Sequence, residues 1–274
     1  MRALLVINPH SRRGHELGGE VRYELRRAGV EIVEGRAAGR DVEGIVAVGG
    51  DGTFASQIPR ALALGVPLGL VPAGTFNDLA RTLSIPGDVA GACATIAAGR
   101  TRAVDLACVN GVYYVTEASI GISSRLAREQ RPADKKRFGL LAIIASAFRA
   151  LGHARPFHVE VGYDGRRERL RTIQLTVANG ERFGGIVTVD EASIDDGWLD
   201  LYSVEIDNVF EALSVAGAVV AGKRRDVRGL RTFRSIAFEV RTRRRYHITA
   251  DGEPAGTTPA RFELAPKALR IFAP

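Results

Sequence analysis

The segment Val46-Ala47-Val48-Gly49-Gly50-Asp51-Gly52-Thr53 joins a short apolar strand to a glycine-rich turn that carries one carboxylate. Glycine permits positive φ and close approach to a ligand, and the amides that begin a following helix face outward with the positive end of the helix dipole. We therefore expect residues 49–53 to bind an anion. The lysine of the loop G-x-x-x-x-G-K-[ST] is missing, so amides, arginines and a metal ion would have to neutralise a bound polyphosphate. The alternative is an ordinary turn with a local hydrogen bond to Asp51.

Strand and helix signals alternate in the first third of the chain. This alternation favours a parallel sheet flanked by helices, in which ligands bind beyond the carboxyl ends of the strands. The connection between Val33 and Ile45 is short, so we expect its crossover helix to be absent or reduced to a turn. The predicted strands are 3–7, 31–33, 45–48 and 67–71, and the predicted helices are 18–28, 54–64 and 88–98.

The pattern changes near residue 105 to short strands with alternating polarity. The turn Tyr163-Asp164-Gly165-Arg166 is a hairpin signal, and apolar segments 138–151 and 209–221 are predicted helical insertions. We predict an α/β N-terminal domain with a parallel sheet over residues 1–105 and a mainly antiparallel β-sandwich C-terminal domain over residues 106–274. The last ten or so residues are candidates for a return to the first domain. The predicted strands of the sandwich are 111–116, 157–163, 171–177, 199–204, 235–240 and 246–250.

Composition and charge narrow the class of protein further. Apolar residues make up 46% and charged residues 25% of the 274 residues, which is typical of a globular protein and excludes a collagen-like or disordered chain. Between Ala218 and Ile248 ten basic residues stand against two acidic ones, while the whole chain carries a net charge of +7. Such a basic patch suits an anionic surface, either membrane headgroups or nucleic acid. A solvated arginine-rich face is the alternative.

A second strand-to-helix turn carries polar groups of its own. The stretch Pro72-Ala73-Gly74-Thr75-Phe76-Asn77-Asp78 follows the predicted strand 67–71. Thr75 can cap the next helix and offer its hydroxyl group to a ligand, and Asn77 and Asp78 fall in the first turn. For Asp78, a favourable interaction with the helix dipole is the alternative to a role in binding.

The two loops together resemble those of the diacylglycerol kinase catalytic-domain family of lipid kinases, which includes sphingosine and ceramide kinases. The resemblance covers almost the whole chain, because further motifs of the family follow in its order and approximate spacing. They are Asn8-Pro9-His10-Ser11, Ala178-Asn179-Gly180, Asp195-Asp196-Gly197-Trp198-Leu199-Asp200 and Ala250-Asp251-Gly252-Glu253-Pro254. The resemblance implies an ATP site between the two domains, lined by Asn8, Gly49, Gly50, Asp51, Gly52, Thr53, Gly74, Thr75 and Asn77.

The resemblance also implies catalytic and metal-binding roles. Glu253 would be the general base that takes the proton of a lipid hydroxyl group, and Asp51 would lie near the transferred phosphoryl group and its Mg²⁺. Asp196, with the backbone carbonyl groups of Ser193 and Trp198, would hold a structural Mg²⁺. Without the resemblance, Glu253 and Asp196 are ordinary turn residues. Asp105 would join a water-mediated network to Mg²⁺, or would simply be an aspartate at the end of a strand.

The resemblance therefore implies an ATP-dependent lipid kinase that acts on diacylglycerol or a related lipid. We expect a cytoplasmic protein, peripheral at the inner face of the membrane, with the basic patch in transient contact with anionic headgroups. Phe54-Ala55-Ser56 stands where many relatives carry a polar pair, which favours weaker ATP binding. The alternatives are an NAD kinase and a non-catalytic protein that binds lipid or nucleotide. A role in nucleic-acid binding is not expected, because no recognition motif accompanies the arginines.

Overall fold

The computed structural model describes residues 1–8, 12–35, 41–74, 77–122, 155–180, 182–183, 187–188, 193–206, 211 and 229–274. Within these residues the prediction of an α/β N-terminal half with a parallel sheet and an antiparallel C-terminal half is confirmed. The predicted helix 138–151, almost all of the predicted helix 209–221, and Thr75 lie outside the described residues.

The N-terminal half is built on four parallel strands in the order β2-β1-β3-β4. Strands β3 and β4 are buried along their whole length, as expected for a parallel sheet that is covered on both faces. No helix lies in the described part of the connection between β2 and β3, in agreement with its short length. The elements are β1 (Arg2–Ile7), α1 (Arg12–Arg27), β2 (Glu31–Val33), β3 (Gly44–Gly49), α2 (Asp51–Ala55), α3 (Ile58–Leu64), β4 (Leu68–Pro72), α4 (Asp78–Thr82) and α5 (Val89–Ala97).

The prediction of one helix over 54–64 is wrong. The first helix, α2, begins inside the glycine-rich turn at Asp51, and a second helix, α3, begins at Ile58. Pro59 lies in the first turn of α3, where its missing amide hydrogen leaves no bond unmade, whereas inside a longer helix it would clash with the preceding turn. The break therefore leaves α2 as a short helix whose N-terminus belongs to the turn.

The C-terminal half contains two sheets that pack face to face around a second core. One of them is antiparallel and six-stranded, in the order β14-β13-β10-β7-β16-β17. The strands of this half are β5 (Thr101–Val109), β6 (Val112–Tyr114), β7 (Glu117–Gly121), β8 (Phe157–Tyr163), β9 (Arg166–Thr172), β10 (Gln174–Ala178), β11 (Arg182–Phe183), β12 (Val187–Thr188), β13 (Leu199–Val204), β14 (Leu230–Ser235), β15 (Ala237–Thr242), β16 (His247–Ala250), β17 (Glu253–Thr257) and β18 (Ala260–Phe272).

The prediction of a single strand over 171–177 is also wrong. The chain leaves the large sheet at the end of β9 and enters the six-stranded sheet at the start of β10. At this corner the hydroxyl group of Thr172 donates to the carbonyl oxygens of Gln174, at 2.7 Å, and Val204, at 2.9 Å. The side chain therefore satisfies backbone groups that a continuous ladder would have paired.

The last strand, β18, connects the two halves of the molecule. It pairs antiparallel with β5 and β15, and at Ile271 it pairs in parallel with Leu68 of β4. The parallel strands of the first half and the antiparallel strands of the second therefore form one continuous ten-stranded sheet. The sequence did not predict β18, since Pro266 and a register shift between Ala265 and Leu269 interrupt its alternation.

Asp105 of β5 holds the turn at Gly197 and the irregular part of β18 in place. Its side chain is fully buried and accepts hydrogen bonds from the amides of Gly197, at 2.8 Å, and Lys267, at 2.7 Å. The buried carboxylate is therefore satisfied by backbone donors, and the substitution of one of its oxygens would leave a buried amide without an acceptor.

We predict that Asp105→Asn lowers the free energy of unfolding by about 3 kcal/mol, because the new NH₂ group faces an amide donor. For a chain of this size the midpoint of thermal unfolding should fall by roughly 6–12 °C. The matched control is Asp41→Asn, since the Asp41 side chain is 85% exposed and lies 3.8 Å from Arg2. Equal midpoints for the two variants would contradict the structural role of Asp105.

Candidate active site

The glycine-rich turn lies at the carboxyl ends of neighbouring parallel strands. Strand β3 ends at Gly49, and the amide group of the Asn8 side chain, directly after β1, donates to the hydroxyl oxygen of Thr53 at 3.0 Å. Asn8 and the turn residues 49–53 were predicted to share a site, and the structure brings them together. In this type of fold, ligands bind beyond the carboxyl ends of the strands.

The second loop touches the first through two glycines. A Cβ atom built on Gly74 would lie 2.5 Å from the Cα atom of Gly50, so neither loop could approach the other with a side chain at this position. Asn77 closes the second loop, because its side chain accepts from the Gly74 amide at 2.9 Å and donates to the Gly74 carbonyl at 3.1 Å. The predicted residues Gly50, Gly74 and Asn77 thus lie together. Thr75 lies outside the described residues.

Asp51 caps a helix of the second loop. Its carboxylate accepts from the amides of Asp78, at 3.1 Å, and Leu79, at 3.2 Å, at the start of α4. The N-cap residue of that helix, Asn77, makes no capping bond with its side chain. The partners of Asp51 are therefore remote in sequence, unlike those of a local turn aspartate. Burial raises the pKa of Asp51, while these amide bonds and the charge of Arg81 oppose the rise.

The hairpin between β16 and β17 presents Glu253. Its two-residue turn consists of Asp251 and Gly252, both at positive φ, as a type I′ turn requires. The buried carboxylate of Asp251 accepts from the amides of Val115 at 2.8 Å and Thr116 at 3.0 Å. It also accepts from the amide of Glu117 at 3.2 Å and from the hydroxyl group of Thr116. These bonds fix the hairpin against the start of β7.

The hairpin contacts the glycine-rich turn across the junction of the two halves. A Cβ atom built on Gly52 would lie 3.5 Å from the Oε1 atom of Glu253 and 3.5 Å from the carbonyl oxygen of Asp251. A residue with a longer side chain at position 52 would displace Glu253. The structure therefore brings the segments that carry the two predicted catalytic residues, Asp51 and Glu253, next to each other although they are some two hundred residues apart.

Sequence reasoning missed Glu117, a half-buried residue at the start of β7. Burial, with smaller contributions from the nearby carboxylates of Asp251 and Asp78, raises its pKa to about 8. The signal that could have found it is a single acidic residue at the head of the apolar strand EASIG. Asp51, Glu117 and Glu253 lie around the same junction, and carboxylate oxygens are the ligands that a hard cation such as Mg²⁺ prefers.

The residues predicted to hold a structural Mg²⁺ share one turn. The carboxylate of Asp196 accepts from the amides of Ser193, at 3.2 Å, and Trp198, at 3.0 Å. The oxygen donors of this turn, one carboxylate and two carbonyl groups, fit the ligand preference of Mg²⁺. The Nη2 atom of Arg234 lies 3.8 Å from Asp196 and supplies a competing positive charge. Occupancy of the site stays a prediction.

If this turn binds the metal, Mg²⁺ should raise the midpoint of thermal unfolding, because a cation that binds only the folded protein stabilises it. Asp196→Asn should abolish that increase, since it removes the charged ligand. Asp195→Asn is the matched control, because Asp195 pairs instead with Arg102, at 2.8 Å, and should leave the response to Mg²⁺ intact. An identical response in both variants would place the bound ion elsewhere.

The raised pKa of Glu117 makes stability depend on pH. The folded protein keeps this proton up to about pH 8, whereas the unfolded chain loses it near its ordinary value of 4.5. Stability should therefore fall as pH rises between these values and level off above them. We predict that Glu117→Gln raises the thermal midpoint relative to the original protein at pH 8 and changes it little at pH 4.5. A constant difference across this range would contradict the prediction.

An α/β domain joined to a β-sandwich, with a glycine-rich turn facing a hairpin carboxylate, defines a two-domain fold of the NAD-kinase and diacylglycerol-kinase type. Two family models match the chain: "Diacylglycerol kinase catalytic domain" over residues 2–109, and "YegS C-terminal NAD kinase beta sandwich-like domain" over residues 116–273. The second model covers more than half of the chain, so the chain belongs to the family with the YegS-type C-terminal domain. Residues 2–109 match the diacylglycerol kinase catalytic domain, which confirms the resemblance that the motifs indicated.

Relatives and solved structures agree with this assignment. The chain is 28% identical to a diacylglycerol kinase of Bacillus subtilis (strain 168), with 87% of this chain and 80% of that protein covered. It is also 28% identical to an uncharacterized protein of Synechocystis, of which it spans only 54%. The crystal structure of a putative diacylglycerol kinase from Bacillus anthracis matches with a TM-score of 0.84 at 24% identity, covering 100% of this chain and 95% of that chain. The last match shows the shared fold.

Proposed function

We propose that the protein is an ATP-dependent lipid kinase that transfers the γ-phosphoryl group of ATP to a hydroxyl group of diacylglycerol or a related lipid. The proximity of the Glu253 carboxylate to Gly52 is the observation that carries the proposal. A carboxylate beside a turn whose amides and glycines suit a polyphosphate supports the role of a general base. The names of the relatives support a kinase at the level of the family.

In the proposed reaction, Glu253 accepts the proton of the lipid hydroxyl group. The hydroxyl oxygen then bonds to the γ-phosphorus as the bond between that phosphorus and the ADP oxygen breaks. Phosphoryl transfer depends mainly on positioning and charge neutralisation, and a well-placed base adds roughly 10²–10⁴-fold. The backbone of residues 49–53 orients the phosphate groups, while Asp51 faces the same region from the start of α2. Mg²⁺ bound with ATP supplies positive charge to the phosphate oxygens.

The buried contacts of the hairpin give Glu253 a fixed position. Its neighbour Asp251 is tied to three successive amides, and strand pairing between Ala250 and Glu253 continues the hairpin. Catalytic groups act efficiently when such surrounding contacts hold them in place before the substrate arrives. The proposed base therefore needs little reorganisation on binding.

The direct experiment measures transfer of labelled phosphate from ATP to diacylglycerol, phosphatidylglycerol, ceramide and sphingosine in mixed micelles, with NAD as a soluble acceptor. We predict that Glu253→Gln lowers kcat by about 10²–10⁴-fold and leaves ATP affinity nearly unchanged, because it removes the base and retains the shape of the side chain. Glu263→Gln, on an exposed part of β18, is the matched control and should keep full activity.

The outcomes separate the proposal from its alternatives. Phosphorylation of NAD and of none of the lipids would assign the chain to the NAD kinases. Calorimetric binding of lipid without binding of ATP in the presence of Mg²⁺ would make it a non-catalytic lipid-binding protein. Full activity of Glu253→Gln would remove that residue from the proposed chemistry.

A further inference from the structure

The basic segment between residues 218 and 248 divides into two parts in the folded protein. Among its described residues, the arginines of β14 are matched by carboxylates of neighbouring strands. Arg231 lies 3.2 Å from Glu168. Arg234 forms a bidentate ion pair with Asp200, with distances of 2.8 and 3.0 Å. The charge of these two arginines is therefore paired within the protein, which leaves little of it for an external partner.

The second part has a different environment. The end of β15 and the loop after it carry four exposed arginines, at positions 241, 243, 244 and 245. The loop has a defined shape, because the hydroxyl group of Thr242 donates to the carbonyl oxygen of Arg244 at 2.6 Å, and the rings of Tyr246 and Phe157 stack at 4.3 Å. The structure thus presents these arginines from a fixed loop.

Strand pairing adds arginines that are distant in sequence. Thr242 of β15 pairs with Val159 of β8, and on the other side of β8 His158 pairs with Arg171. The ends of three strands therefore meet, and all the arginines there are exposed. We call this surface the arginine corner; it consists of Arg155, Arg169, Arg171, Arg241, Arg243, Arg244 and Arg245.

Few acidic residues compensate the arginine corner. Glu160 lies 3.5 Å from Arg169, and Glu239 lies 3.3 Å from Arg241. Within the described part of the chain, no carboxylate forms an ion pair with the arginines at positions 155, 243, 244 and 245. Like charges held this closely repel one another, and an external anion relieves that repulsion. The corner is therefore a surface for an anionic partner.

The corner is close to the candidate active site. Strand β16 begins at His247, directly after the arginine loop, and ends at Ala250, directly before the hairpin turn of Glu253. A strand of four residues spans about 13 Å. A partner seated on the arginine loop would therefore lie within the length of a lipid molecule from the proposed base.

We propose that the arginine corner docks the protein on a membrane surface containing anionic phospholipids, so that the acceptor lipid is presented near Glu253. The presentation of the lipid to Glu253 rests on the proposed function, whereas membrane docking is independent of catalysis. Each arginine near an anionic bilayer favours binding, so the contributions of several arginines add up. Nucleic acid fits less well, because the aromatic rings at the corner stack on each other and present no free platform for bases.

The experiment measures co-sedimentation of the full chain, without ATP, with phosphatidylcholine vesicles that contain or lack phosphatidylglycerol. We expect binding only with the anionic lipid, and binding about a hundredfold weaker after R243Q/R244Q/R245Q. The control R26Q/R27Q/R100Q removes the same charge from exposed positions elsewhere and should change binding less than threefold. A second variant, R155Q/R169Q/R171Q, tests whether the corner acts as one surface, and it should lose affinity likewise.

Equal loss in the corner and control variants, or equal binding to both vesicle types, would overturn the proposal. Tighter binding to duplex DNA than to anionic vesicles would overturn it in favour of a nucleic-acid partner. Failure of the kinase proposal is distinguishable, because the vesicle assay needs no turnover. If the protein is a kinase, the corner variants should lose activity on vesicles and retain it on a soluble short-chain diacylglycerol.

Discussion

The architecture of the cleft depends on the buried carboxylate of Asp251 and the amides that it accepts. Asp251 occupies a positive φ of 46°, which an aspartate adopts only at some expense, and it is buried, which disfavours its charge. Amide bonds from Val115, Thr116 and Glu117 offset both penalties. Without them the turn could relax, and Glu253 would lose its position against Gly52.

The same region is linked to more distant parts of the molecule by buried polar groups. The side chain of Asn179 donates to the carbonyl oxygens of Asp105 and Val115, at 3.0 Å each. The backbone amide of Asn179 donates to the carbonyl oxygen of Thr116 at 2.8 Å. Asp105 in turn holds the amide of Gly197. Each of these buried hydrogen bonds constrains the position of the next group. Strand β5, the start of β7 and the turn before β13 are therefore joined by specific hydrogen bonds.

Local patterns in the sequence predicted much of this fold, including the alternation of the first half and the Asp164-Gly165 hairpin. They failed where pairing is remote in sequence. Strand β18 is specified by its partners β5 and β15 more than by its own alternation, and the capping of α4 by Asp51 joins segments that a sequence window does not connect. The motifs identified Asp51 and Glu253, but Glu117 carries no motif, because its environment arises only when β7 packs beside the hairpin.

Asp51 shows how one residue can serve both the fold and a ligand. Its carboxylate stabilises the N-terminus of α4 through two amides, yet burial still raises its pKa above the ordinary value. Amide dipoles alone therefore do not fully replace the water that the carboxylate lost. A divalent cation carried by a nucleotide would favour the ionised form, because an opposite charge within a few ångströms lowers the pKa of a carboxyl group. In the proposed function the same ligand would contact both the glycine-rich loop and this carboxylate, while the helix cap keeps the carboxylate in place beforehand.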